Sequence, residues 1–135
     1  MEYTLEELNK ILEKHKRWLN DEPYGKRANL QFADLRWAEL TFKDLTNTNL
    51  SNAKLNWVNT EDMKGYTVYC VQMPTSRENA RLSYWKDLDV WTTGCFQGTK
   101  EELINSINKT HKDNEKIRNR YFKAIEFIES MASEK

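Results

Sequence analysis

The two cysteines and two histidines carry the most reactive side chains of this 135-residue chain, and only one pairing has a spacing that suggests chemistry. Thr99 with Glu102 three residues on reads as a capping box, so Cys95 stands just ahead of a helix N-terminus, where a thiolate is favoured. His111, beyond the far end of that helix, is the candidate base. Against this, no Asn or Asp is marked as an orienter of the imidazole, and the glycines of Gly94-Cys95-Phe96-Gln97-Gly98 are explained by turning a strand into a helix. Cys95 is therefore read as a turn residue and Cys70, in a strand-like run, as core. His15 and His111 with two lone cysteines lack the close spacing of a zinc site. The common phosphate-cradle and hydrolase motifs are absent from the sequence. No catalytic residue, cofactor or metal is expected.

Two other groups of residues are candidates for binding. Lys109, Lys112, Lys116, Arg118, Arg120 and Lys123 stand against Asp113 and Glu115, six bases to two acids, a local net of +4. Such a run is ordinarily a solvated helix face. Its sharper reading is an anion site built on Lys112, Lys116, Arg118 and Arg120, with Tyr121 or Trp85 in stacking range. The second group is Phe32, Trp37, Phe42 and Trp57, all separated by multiples of five.

That spacing belongs to a longer pattern. From residue 28 the chain reads ANLQF, ADLRW, AELTF, KDLTN, TNLSN, AKLNW, VNTED, with Leu30, Leu35, Leu40, Leu45, Leu50 and Leu55 holding the central place. Two places earlier stand Ala28, Ala33, Ala38, Lys43, Thr48, Ala53 and Val58. A period of five fits neither a helix nor a strand, and internal repetition outranks local propensity. The segment resembles the pentapeptide-repeat family, whose unit is a small residue, Asp/Asn, Leu/Phe, a polar residue and a variable corner. The resemblance implies a short right-handed quadrilateral β-helix, four units to a turn, with leucines filling a narrow axis and small residues beside them. Lys43 breaks the small-residue rule, through a distorted corner or a side chain that runs out to solvent. The aromatic corners should point outward, with Trp37 and Trp57 one above the other at the ~4.8 Å strand spacing. Either the flanking elements cover them, or they form a partner-binding or dimer surface.

Two coils need caps, because each buries its face only against neighbours. An amphipathic helix is expected over residues 4–19, with Thr4 and Glu7 as a capping box and Leu5, Leu8, Leu12, His15 and Leu19 on one face. Pro23 follows its end. After the repeats, β runs are expected at 66–72, 81–85 and 90–93, joined at 73–76 and 86–89. A helix then starts at Thr99 with Leu103, Ile104 and Ile107 inward. A last one runs over 114–132 with Ile117, Tyr121, Ile125, Ile128 and Met131 on one face. The expected organisation is a mixed α+β chain: an N-terminal capping helix at 1–22, the repeat coil at 23–65 and an α+β module at 66–135.

Lysine plus arginine balances aspartate plus glutamate at 21 each, so no global field draws in nucleic acid or an anionic membrane. Lone cysteines and the lack of a signal-type start point to a reduced cytoplasmic protein of a bacterial host. The order of parts, with GCFQGT and Thr110-His111 in the tail, is similar to small repeat proteins of bacteriophages and prophages. The function expected is a non-catalytic inhibitor or adaptor that docks on a host or phage protein, such as a nuclease of a bacterial defence system. The alternative is a binder that sequesters a small anionic ligand, such as a signalling nucleotide, through the basic C-terminal helix. A third is a homodimeric packing module. DNA mimicry is disfavoured, since five acids against three bases leave the repeats only −2.

Overall fold

Thr4 accepts a hydrogen bond from the Glu7 amide and Glu7 returns one to the Thr4 amide, and this closed box starts α1, Leu5–Leu19. A computed structural model of the chain describes residues 2–74 and 80–134. The chain divides into two compact units, Met1–Thr67 and Val68–Lys135. In the first, Leu8, Leu12 and His15 form the buried stripe of α1. Leu5, expected on that stripe, is 68 % exposed. It sits in the first turn, ahead of the part of the helix that packs.

Each repeat is a tight turn. The central leucine's carbonyl accepts the amide three residues on, as in Ala33 to Leu30, Ala38 to Leu35 and Thr48 to Leu45, at 2.9–3.0 Å. One residue before five of the six leucines, Leu55 after Lys54 being the exception, an Asp, Asn or Glu side chain takes the amide two places ahead: Asn29 that of Gln31, Asp34 that of Arg36, Glu39 that of Thr41, Asp44 that of Thr46, Asn49 that of Ser51. The third residue of each turn has positive φ, between 54° and 69° at 32, 37, 42, 47, 52, 57 and 62. Successive turns bring the chain back on itself after twenty residues: Asn29 bridges Asn49, Asp34 bridges Lys54, Glu39 bridges Asn59 and Asp44 bridges Lys64, all parallel. Leu30, Leu35, Leu40, Leu45, Leu50 and Leu55 are at most 2 % exposed, each contributing about 1.5–3 kcal/mol of burial.

The expected β-helix is not present as a solenoid of strands. Between residues 23 and 67 no strand forms, and turn-to-turn pairing is by isolated one-residue bridges. A turn every five residues leaves too few extended residues between corners for two consecutive ladder pairs. Lys43 does not distort its corner: its amide reaches the Leu40 carbonyl at 3.0 Å and its carbonyl takes the Lys64 amide at 2.9 Å.

Two long-range features fasten this unit. His15 is fully buried, with Nε2 2.8 Å from the Thr46 carbonyl and Nδ1 accepting the Ala28 amide at 3.0 Å. Gly65, at φ 101°, lies so close to the Leu45–Thr46 peptide that a Cβ there would stand 2.4 Å from the Thr46 nitrogen.

The turn carboxylates make the unit sensitive to acid. Arg36 holds the Asp34 carboxyl down at about 2, and the Thr46 hydroxyl and amide hold Asp44 below its ordinary value. A depressed pKa adds stability that is complete above the unfolded value of about 4 and disappears as pH falls through the folded one. Thermal melts across a pH series should therefore be flat above about pH 5 and decline from about pH 4 to pH 2, with Asp34→Asn reducing the decline. A melting temperature that holds steady through this window would contradict the assignment.

The second unit is a four-stranded antiparallel meander in the order β1 (Val68–Gln72), β2 (Arg81–Trp85), β3 (Val90–Thr93) and β4 (Phe96–Gly98). Opposed pairs include Val71 with Leu82 and Tyr84 with Trp91, the latter rings stacked at 4.3 Å. A 3-10 turn at Lys86–Leu88 and Asp89 in the left-handed region connect β2 to β3. Thr99 and Glu102 form the second closed capping box and start α2, Lys100–Thr110. Asn114 caps α3, Glu115–Ala132. Leu82, Trp91, Leu103, Ile107, Tyr121, Ile125 and Ile128 are the centre of its core. Among the described residues no helix is long and apolar enough to cross a membrane.

Four expectations need correction or limit here. β4 falls in a stretch read as a turn. The connection expected at 73–76 lies in part outside the described residues. Met131 is 39 % exposed in the last turn of α3, beyond the residues that pack on the sheet. Cys70 is exposed and not core. Tyr69 and Val71 face the core cluster, so the period-two alternation of β1 puts Cys70 on the other side, 3.4 Å from the Ser83 hydroxyl.

Candidate functional site

The first candidate surface follows from the corner geometry of the repeats. Left-handed backbone favours Gly and Asn, and a bulky residue there costs about 1–3 kcal/mol. In this chain Phe32, Trp37, Phe42 and Trp57 occupy such corners. Three of them recover little by burial, being 60 %, 64 % and 73 % exposed in the order Phe32, Trp37, Phe42. Trp57 is half-buried. Trp37 and Trp57 stack at 4.6 Å between centroids with planes 7° apart, as twenty residues of separation dictate. α1 leaves these side chains uncovered. Below Phe42 a groove of about 610 Å³ runs between α1 and the repeats, lined by Leu12, Lys16, Leu19, Lys43 and Lys64. Lys43 thus lies half-buried along a groove wall, which accounts for a lysine where a small residue was expected.

Of the four basic residues of the candidate anion site, the two arginines hydrogen-bond to backbone carbonyls and the two lysines are exposed. Arg118 donates to the carbonyls of His111 and Lys112, at 2.8 and 2.5 Å, and ties down the end of α2. Arg120 donates to the Pro74 carbonyl at 2.6 Å. Lys112 and Lys116 are exposed. The two arginines are thus partly engaged in holding loops.

Among the described residues no group of three or more His, Cys, Asp or Glu side chains stands together as a metal site. Cys95 and His111, a thiol and candidate base set aside on sequence grounds, line one cavity in the second unit. His111 stacks on Tyr121 at 5.5 Å. The sequence offers the Cys95 and His111 pair without the hairpin β3–β4 that presents Cys95, since β4 reads there as a turn. Sequence reasoning missed Tyr24, which is 90 % exposed at φ 64°, just ahead of the repeats, where no periodicity marks it.

The family model described as "Pentapeptide repeats (8 copies)" matches residues 28–59. The middle of the chain is therefore built of pentapeptide repeats, in agreement with the turns and twenty-residue returns described above. No curated protein and no solved structure matches the chain.

Proposed function

We propose that this chain is a non-catalytic protein-binding module whose repeats, wound as a right-handed quadrilateral coil, present Phe32, Trp37, Phe42 and Trp57 to another protein. The observation that carries the reading is the conflict at these corners. Local conformation asks for Gly or Asn, burial does not compensate at Phe32, Trp37 and Phe42, and yet aromatics stand there, with Trp57 stacked on Trp37 from the adjacent turn. Exposed aromatic clusters supply large, rigid contact area and are the usual anchors of protein interfaces. A protein partner suits the surface better than nucleic acid, because the repeats carry a net charge of −2 by five acids to three bases. The similarity in the order of parts to small phage and prophage proteins supports an inhibitor or adaptor acting on a host or phage protein, of which a defence nuclease is one kind.

The test separates strain from function. Phe32→Asn and Phe42→Asn should leave the melting temperature unchanged or raise it, because Asn tolerates the left-handed corner and little burial is lost. The same variants, combined with Trp37→Asn, should lose the partner captured by wild-type protein from host extract. Phe127→Asn, at an exposed site in the second unit, serves as the control that keeps it. Retention of every captured protein by the corner variants would remove the surface from consideration.

A further inference from the structure

The second unit contains a cavity of about 320 Å³ between the β3–β4 hairpin, α2 and the start of α3. Its lining combines the apolar Phe96, Ile107 and Tyr121 with the polar Ser106, Thr110 and His111. Cys95 stands at its rim and is exposed. We propose that this cavity binds a small, neutral, planar heterocycle bearing ring carbonyl and N–H groups, of nucleobase or nucleoside size. This site lies wholly within the second unit and does not rest on the aromatic corners of the first.

Three properties of the lining select that class. The volume is at the lower end of the 300–1,000 Å³ typical of ligand sites, which limits the occupant to one ring system with small substituents. No Asp, Glu, Lys or Arg lines it, so a charged ligand would enter without a counter-ion, an unfavourable transfer. Hydroxyls and an imidazole both donate and accept, which matches a lactam edge with a carbonyl beside an N–H, while Phe96 and Tyr121 add aromatic surface to the lining.

Cys95 makes the site readable in the full-length protein, with Cys70, also exposed, as an internal reference. Alkylation of each thiol by iodoacetamide is followed by peptide mass spectrometry, alone and with uracil, adenine, uridine or adenosine. At least one probe should slow modification of Cys95 about tenfold when present at ten times its Kd, leaving Cys70 unchanged. Ser106→Leu and Thr110→Leu, which fill the cavity from a half-buried and an exposed helix position, should each abolish the protection. The proposal is overturned if none of the four probes protects Cys95 at millimolar concentration or if both thiols are slowed equally. It also fails if a leucine variant with wild-type melting temperature keeps the protection, or if UMP or AMP protects better than its nucleoside.

Discussion

Gly65→Ala is expected to lower the stability of the first unit by ~3 kcal/mol or more, as the sum of backbone strain at positive φ and a close backbone clash. An added Cβ would stand 2.4 Å from the Thr46 nitrogen, 2.5 Å from the Leu45 carbonyl carbon and 2.8 Å from the Thr46 Cα. These are main-chain atoms, with no flexible side-chain end that can swing away. The neighbouring amide of Leu45 is bonded to the Lys64 carbonyl at 2.9 Å, so relief by moving the chain apart breaks a turn-to-turn bond. At φ 101° an L side chain is strained regardless of space. For a unit of this size the loss corresponds to a fall in melting temperature of roughly 12–24 °C. Circular-dichroism melts of the two proteins give the comparison, and a variant melting within a few degrees of wild type would mean that Gly65 is not held against that peptide.

The second large effect is expected at His15. Its ring lies between two backbone groups that the helix and the repeats otherwise leave unpaired, the Ala28 amide on Nδ1 and the Thr46 carbonyl near Nε2. With Nδ1 accepting, Nε2 carries the proton and donates, a pairing that one neutral tautomer alone makes. His15→Leu keeps an apolar body in the site and removes both partners. Each buried backbone group left unsatisfied costs about 1–3 kcal/mol, so the variant should lose ~2–5 kcal/mol in urea titrations. His15→Gln, which can still serve one of the two groups, should fall between. If His15→Leu unfolds at the wild-type urea midpoint, the ring is packing and not fastening.

Much of this architecture is written in local pattern. The leucine every fifth residue marks the buried line of the repeats, and Thr4-Glu7 and Thr99-Glu102 mark two helix starts, because each is a relation between residues at most five apart. His15 shows the limit. Its place on the buried stripe of α1 is legible from helical spacing, but its bond to Thr46 joins residues 31 apart and leaves no periodic trace. The left-handed corners are hidden for another reason. Gly at these positions would announce positive φ, whereas Phe and Trp conceal it behind residue types that ordinarily prefer strands. Cys95 and His111 form a candidate pair in the sequence that lacks an orienting residue. What brings them to one cavity is the three-residue strand β4, too short and too glycine-flanked to read as a strand.

Because the chain superposes on itself after twenty residues, the side chains that face one way are fixed by counting and not by composition. Inserting a block of twenty between Ala38 and Lys43 would lengthen the stack and keep every later corner on its former face, with Trp57 one turn further from Trp37. Adding five instead would turn all that follows by one side, carrying Trp57 away from Trp37 while preserving each unit intact. Length can therefore change in steps of four units with every face in register, whereas a single-unit gain or loss moves all later side chains to the next face.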